Sequence, residues 1–521
     1  MSKKGKNSVK GFFLFLSEST GGVEQMTMVS LKLQENETWF RERCRECADI
    51  KFSPMYLGMD GSVPCLAIYI ETAVSNLMLE ESMLGRMLIQ LREMPPQEVR
   101  VCLRRNEMGI SDASPLDTLE DAMRAMLAGN LILLVDGFEK ILKIGSKGYP
   151  NRSVSETESE KVLRGSKEGF GESVKQNIEL IRKRIRSSGL KVEEMYLGER
   201  SDTVTMLLYM DELAHSDVLE QLKSALNKYT IDGVLDSGVL EQLTEHHWMS
   251  PFPQFQTTER PDLAAMGLLE GRIVLLSDNS PVALLLPAAL QDFMHVSEDR
   301  YNRFEIASFQ RLIRYAAMVL SLMLSGVYLA VIGFHTSILP TNLLLSFAEA
   351  RRGVPFPSIL EVLFMELAFE MIREAGIRMP GSLSGTIGIV GGLIIGDAAV
   401  SANLVSPMAV VIVAISALSS FAVPNEELTA AFRLLKYGFI LLGGTLGMFG
   451  IVISCYLLMG HLSGLTSFGM PYLLPASEKD AAGGKRSGDG ILRAPLREMK
   501  YRPVYAQQNQ RVRLRKKEAD K

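Results

Sequence analysis

"GTIGIVGGLIIGDAAV", residues 385–400, carries five glycines, a run of Ile, Val and Leu, and a single charge, Asp397. A glycine loop that cradles a nucleotide follows a strand and opens a helix, and a Walker A loop also needs Gly-Lys-Ser/Thr. No such tripeptide stands here. Gly388, Gly392 and Gly396 instead repeat at four-residue spacing, with Gly381 and Gly385 in the same rhythm upstream and Ser384 and Gly391 adding small residues. On a helix these positions share one face and admit a second backbone to van der Waals distance, as helices do in lipid. The spacing predicts a membrane packing helix. A small-residue face also leaves room for water and ions, so Ser384, Gly388, Val390, Gly391, Gly392, Ile394, Gly396 and Asp397 are the expected pore-lining or packing positions. Val390 and Ile394, four apart, would form an apolar constriction. Asp397 has two readings: a carboxylate facing a bundle interior or water, since a charge in a span costs at least about 2.5–3.5 kcal/mol, or a helix end at the membrane edge.

The surroundings agree with lipid. Residues 315–334 supply about twenty uncharged positions, enough to cross a hydrocarbon core of about 30 Å, and 383–400, 404–423 and 437–460 are three further candidate spans. The averages over all 521 residues, with 47% hydrophobic, 22% charged and a net charge of −4, conceal this division. Residues 30–300 carry charges throughout, whereas residues 478–521 are basic, ending with Arg511, Arg513, Arg515, Lys516 and Lys517. Arg300, Arg303, Arg311 and Arg314 precede the first span, so the positive-inside rule puts both ends of the chain in the cytoplasm. That requires an even number of crossings: four, or six if 338–350 and 358–372 also cross. The basic start, "MSKKGKNSVKGFFLFLSEST", has an apolar run too short for a signal peptide and no cleavage site after it.

Between residues 31 and 300, short β-like runs alternate with amphipathic helices. Strands are expected at 62–70, 130–138, 203–210, 271–277 and 281–287, the last two forming a hairpin about "DNS", and helices at 73–93, 117–128, 168–188 and 216–228. "MYLGMDGSVPCLAIYI" from Met55 and "MYLGERSDTVTMLLYM" from Met195 align without a gap, 140 residues apart, which predicts a duplicated unit. The polar stretch 145–160 reads as the linker. The expected organisation is an N-terminal tail (1–30), two soluble α/β or α+β subdomains (31–150 and 151–300), an all-α multi-pass membrane domain (301–462) and a basic cytoplasmic tail (463–521).

A second pattern precedes the glycine stretch. Glu366, Glu370 and Glu374 lie at i, i+4 and i+8 and share a helical face. Two readings stay open: an interfacial helix with its glutamates in water, or an acidic wall that gathers cations. Glu361, off that stripe, is expected to pair with Arg351, Arg352 or a neighbouring subunit. Cys44 and Cys47 read as two cysteines one helical turn apart rather than a metal or redox pair, because no second pair or histidine accompanies them. No hydrolase, zinc-protease or kinase motif is present, and Glu259 and Arg260 in "TTERPD" are expected to buttress the junction with the membrane region. No enzyme activity, cofactor, metal or nucleic-acid partner is expected.

"EGFGESVKQNIELIRKRIR" (168–186), "TERPD" (258–262), "RRGVPFP" (351–357), "MELAFEMIREAGIRMP" (365–380) and "GTIGIVGGLIIGDAAVSANLVSP" (385–407) together resemble the A subunits of the GerA family of spore germination receptors. The resemblance extends from about residue 36 into the basic tail, and a SpoVAF-type paralogue has a similar sequence. It implies a subunit of the spore inner membrane with a bipartite cytoplasmic N-terminal region. Its implied partners are a transporter-like B subunit, a lipoprotein C subunit and further copies of itself around a central channel, which nutrient binding gates for monovalent cations. Asp397 stands where the family often has glutamine. Two rival classes stand beside this: a membrane scaffold whose glycine helix only packs, and a secondary transporter, which would need inverted repeats that the sequence does not display.

Overall fold

A computed structural model of the chain describes residues 27–59, 61–71, 91, 93–105, 113–145, 157, 160–378, 396–473 and 489–514. The chain divides into two compact units, one formed by Met1–Pro150 with Arg186–Ser188 and the other by Asn151–Ile185 with Gly189–Lys521.

The first unit is built on one sheet. Its strands are β1 (Ile50–Leu57), β2 (Val63–Ile70), β3 (Ala113–Leu116), β4 (Leu131–Val135) and β5 (Ile141–Ile144), in the order β1-β2-β4-β5-β3. Because side chains alternate across a strand, each apolar run serves two cores. Leu66, Ile68, Ile132 and Leu134 meet Phe40 of α1 (Leu33–Arg43) and Leu119, Ala122 and Met126 of α3 (Leu119–Leu127). Cys65, Ala67, Leu131 and Leu133 meet Val99 and Leu103 of α2 (Pro96–Arg105) on the opposite face. Helices on both faces explain why β4 is buried along its whole length. Cys44 and Cys47 lie buried in the α1 core, Cys44 as the helix C-cap and Cys47 in the turn after it.

The second unit contains the same sheet again. β6 (Leu190–Leu197), β7 (Thr203–Met210), β8 (Gln256–Thr258), β9 (Ile273–Ser277) and β10 (Ala283–Leu286) run in the order β6-β7-β9-β10-β8, the first order with every label raised by five. The register repeats as well: Ile50 faces Ile70 and Leu57 faces Val63 in one sheet, while Leu190 faces Met210 and Leu197 faces Thr203 in the other. Even a buried loop clasp is copied. Asn36 bonds the backbone N–H and C=O of Ser30, and Asn177 bonds those of Gly171. Asp136 and Asp278 accept from the backbone of Leu33 and Val174, at the starts of α1 and α4 (Val174–Arg184). The duplication read from the Met55 and Met195 stretches is therefore structural. Every strand pair is antiparallel, so the region is α+β. The "DNS" turn joins β9 and β10 as a hairpin, with Asn279 at φ +65°. Helices α5 (Ser216–Leu226), α6 (Ser237–Thr244) and α7 (Pro261–Leu269) complete this layer. The helix expected at 73–93 lies outside the described residues apart from Leu91 and Glu93.

Six described helices follow: α8 (Phe304–Phe334), α9 (Thr341–Ala350), α10 (Ser358–Arg378), α11 (Pro407–Ser420), α12 (Glu426–Leu446) and α13 (Met448–Gly464). The 31-residue α8 is about 46 Å long at 1.5 Å per residue and packs against α10, α11, α12 and α13. It is the one described helix long and apolar enough to cross a membrane; α11 and α13 are apolar but shorter. Two expectations change here. The span at 437–460 is broken at Gly447, where φ is +63° and α12 gives way to α13. A side chain is strained in that conformation. The span at 404–423 is a 14-residue helix begun by Ser406, whose Oγ accepts from Ala409 N–H, with Pro407 at its first position. Of 383–400, only Gly396 onward is described, and it is helical.

The last segment is not a loose appendage. Residues 489–514 return to the second sheet layer: Arg502 Nε donates to Leu269 O, and the Gln507 backbone N–H donates to Leu213 O. Gly271, at φ +92°, lies so close to this return that an added Cβ would stand 2.6 Å from Ala506 Cα.

Candidate functional site

The glutamates of α10 meet a complementary ladder that sequence reading did not single out. α12 is capped by Asn425, whose Oδ1 accepts from Leu428 N–H at 2.8 Å, and carries Arg433 and Lys436 three residues apart. That spacing places both cations on one face. Lys436 Nζ lies 2.5 Å from Glu366 Oε2, and Arg433 Nη1 lies 3.0 Å from Glu370 Oε2. Glu366 also accepts from Ser325 Oγ of α8 at 2.7 Å, so three helices converge on one carboxylate. Glu366 is 1% exposed, Lys436 3% and Ser325 0%. Neither reading of the stripe holds at Glu366, which touches neither water nor an open acidic wall. Glu374, at the far end, is exposed and pairs with Arg378 of its own helix. Glu361 pairs with Arg351 at 3.2 Å, the first of the partners the sequence offered, and accepts from Ser406 N–H at 3.0 Å.

Among the described residues, one small-residue crossing of the bundle lies at Gly326 and Gly443. A Cβ on Gly326 of α8 would stand 2.6 Å from Phe439 O, and one on Gly443 of α12 would stand 2.5 Å from Gly326 O. The two backbones touch, as small residues permit. Ser384, Gly388, Val390, Gly391, Gly392 and Ile394 lie outside the described residues. Gly396 is buried against Val410, whereas Asp397 is exposed within the described helical residues 396–401.

Where the second sheet layer meets the bundle, charges do the joining. Arg311 of α8 is fully buried; its Nε donates to Asp299 Oδ2 at 3.0 Å and its Nη1 to Asp489 Oδ1 at 2.7 Å. Arg314 grips the same Asp299. Burial opposes ionisation of Asp489, but the Arg311 and Arg300 charges outweigh it and hold the carboxyl below the usual range. Arg493 of the returning segment donates to the backbone oxygens of Asp299, Arg300 and Asn302. Arg260, 1% exposed, bonds Asp262, Ser297 and the backbone of Glu160 and Ser166. Tyr301 donates to the same Asp262 just ahead of α8. These partners of Arg260 all lie in the sheet layer, so it ties that layer together ahead of α8, and the expected contact of Glu259 and Arg260 with the bundle is not among them.

On the other flank, Thr257 Oγ1 donates to Glu427 Oε1 at 3.1 Å, tying β8 to the start of α12. Burial, with Glu427 and Glu245 adding repulsion, pushes the Glu241 carboxyl up to about 8; burial, with Glu427 adding to it, pushes Glu245 to about 6. A carboxyl with a raised folded pKa contributes stability below its unfolded pKa and loses it as pH rises through the folded value. Thermal stability of the full chain should therefore fall between pH 6.5 and 8.5, by at most about 1.4 kcal/mol per pH unit for one proton, and Glu241→Gln should flatten that fall. His295, held down to about 4 by burial and by Arg311, acts in the opposite sense only below its ordinary 6.5, outside this window. An unchanged slope in Glu241→Gln would exclude this origin.

Among the described residues, no group of three or more His, Cys, Asp or Glu is arranged to hold a metal ion. What the arrangement provides is a buried ion-pair site joining three helices, two of which are also bonded to the second sheet layer, α8 through Arg311 and α12 through Glu427.

Comparison with known proteins places this architecture. The family model described as Bacillus/Clostridium GerA spore germination protein matches residues 38–505. Spore germination protein B1 of Bacillus subtilis is 34% identical over 492 residues, covering 93% of this chain and 99% of that one. Spore germination protein A1 of the same organism is 38% identical over 388 residues, covering 74% and 80%. YfkQ, also of B. subtilis and described as an uncharacterized membrane protein, is 36% identical over 475 residues, 91% of each chain. Among solved structures, the N-terminal domain of the A subunit of the Bacillus megaterium spore germinant receptor GerK3 is 28% identical, with a TM-score of 0.39, over 51% of this chain and 98% of that one. With the family model spanning residues 38–505 and these identities over most of the chain, the protein belongs to the GerA family of spore germination proteins.

Proposed function

We propose that the chain is the A-type subunit of a nutrient-responsive germination receptor, a non-enzymatic, multi-pass protein of the spore inner membrane with both terminal regions on the core side. It assembles with a transporter-like B subunit, a lipoprotein C subunit and further copies of itself, and the oligomer forms a ligand-gated pathway for monovalent cations. Family membership over residues 38–505 carries this reading. The bundle surface supports a lipid setting: Phe309 of α8, Leu367 of α10, Leu418 of α11, Leu434 of α12 and Tyr456 of α13 are all more than half exposed. Apolar surface spread over that many helices is what lipid covers. A carboxylate as buried as Glu366 is retained in such a setting when paired. Opening requires nutrient binding in the assembly to favour one of two bundle packings.

The test is cation efflux from liposomes containing the chain with its B and C partners, triggered by nutrient, in wild type, Val390→Ala and Asp397→Asn. Efflux that changes with either substitution, in oligomers of unchanged size, is the expected result. A well-assembled complex that passes nothing would replace the channel by a second reading, a non-conducting scaffold or accessory germination protein. The observation favouring that alternative is that Glu361, Glu366, Glu370 and Glu374 of α10 are each taken by a cation of this chain.

A further inference from the structure

The chain has two tryptophans, and Trp248 is 75% exposed beside Met249 at 79%. Exposure of both together is costly in water, and their loop is not free to fold them away. The Ser250 backbone N–H donates to His247 O at 2.8 Å, closing a tight turn with Trp248 and Met249 at its tip. The His247 backbone N–H donates to Oε1 of Gln254, itself 1% exposed, so the turn is anchored in the sheet layer. Its other side is pinned to the bundle: Ser250 Oγ lies 2.9 Å from His461 Nε2, and the Phe252 ring lies 5.8 Å from the His461 ring.

His461 marks a level. Along the outer face of α13, Phe449, Val452, Tyr456 and Met459 are exposed, and that apolar stripe ends one turn before Gly464. α13 finishes at the end of the bundle where α8 begins, because both ends touch the sheet layer: His461 through Ser250, and Arg311 through Asp299. Leu457, one turn before His461 on the same face, is 60% exposed, so the Trp248 turn sits at the helix end where exposed apolar side chains give way to the polar layer. Tryptophan is enriched at this level of a bilayer, its ring in the acyl boundary and its N–H among headgroups.

We propose that the turn 247–250 is a bilayer-interface anchor: Trp248 and Met249 insert at the headgroup–acyl boundary of the leaflet facing the second sheet layer and hold that layer against the membrane surface. The proposal rests on the membrane reading above. It names a lipid surface as the occupant because the exposed pair is held at the end of α13, at the level where the exposed apolar side chains of that helix, Leu457 among them, stop.

The test uses the full chain carrying Trp39→Phe, so that Trp248 is the sole tryptophan, in phosphatidylcholine–phosphatidylglycerol vesicles. The expected result is blue-shifted emission, stronger quenching by lipids with a nitroxide near the headgroup than by lipids with one near the chain end, and protection from aqueous iodide. If Trp39→Phe fails to fold, the difference between wild type and Trp248→Phe supplies the same signal. Full iodide quenching without lipid quenching overturns the anchor, and so does quenching by neither, which would mean that a protein surface covers the turn. Flotation with vesicles after a carbonate wash reports separately on the membrane reading: a chain that floats with Trp248 open to iodide loses only the anchor, and a chain that does not float loses both.

Discussion

Lys436→Met should destabilise the helical bundle by about 3–5 kcal/mol, the cost of leaving a buried charge without its partner. Glu366 is 1% exposed and has Lys436 at 2.5 Å; without it, Ser325 supplies one neutral hydrogen bond to a carboxylate that water does not reach. The carboxyl must then take up a proton or the helices must part. Removing both charges is a different matter. Glu366→Met combined with Lys436→Met leaves no orphan, so the double variant should be more stable than Lys436→Met alone and close to wild type. Thermal unfolding of the full chain in detergent, followed by circular dichroism and by retention of the folded species on gel filtration, reads the difference. A single variant that melts with wild type, or a double variant no better than the single, would mean that the pair does not hold α10, α12 and α8 together. Nutrient response in spores carrying the double variant then separates structure from function: a stable bundle that no longer responds would make the pair part of the switch.

Arg311→Met is expected to be comparably damaging and to have a local signature. Arg311 is fully buried and shared between Asp299 and Asp489. After its loss Asp299 keeps Arg314, but the buried Asp489 loses one of the two guanidinium charges, and the hydrogen bond, that hold it ionised. The loss should therefore appear first in residues 489–493, whose backbone is clasped to α8 by Arg311 and by Ser308. Limited trypsin digestion should cut the variant after Arg493 much faster than wild type, alongside a drop of about 3–5 kcal/mol for a broken buried pair. Slow cutting together with a lowered melting temperature would place the damage in the Asp299 cluster rather than in the returning segment.

Both predictions concern pairings between distant residues, and that is where sequence reading was weakest. The central strands β2, β4, β7 and β9, with β10, were legible because apolar runs are local, whereas β1, β3, β5, β6 and β8, more polar or shorter, were not picked out. Strand β7 falls on the expected 203–210. Residues 315–334 were legible as a span because twenty uncharged positions need no partner to identify them. The stripe of Glu366, Glu370 and Glu374 was seen, but its chemistry was not. A carboxylate's surroundings depend on which helix faces it, and Arg433 and Lys436 lie about sixty to seventy residues away, in a helix read as apolar only from residue 437. The break at Gly447 was missed for a related reason: hydropathy runs unbroken across it, and one glycine at positive φ changes direction without changing composition.

Sequence by itself determined the most apolar strands of each local pattern, the duplication, the candidate membrane region and, through motifs in order along most of the chain, the family. Those properties are set by neighbours along the backbone, which a one-dimensional pattern records. The tertiary structure alone decided that Glu366 is paired with Lys436, that Gly326 and Gly443 form a close helix crossing, and that the basic C-terminal segment clasps the base of α8. Each of these depends on the free energy of bringing remote groups into one buried place, where an unpaired charge or a spare methyl costs far more than it does in water.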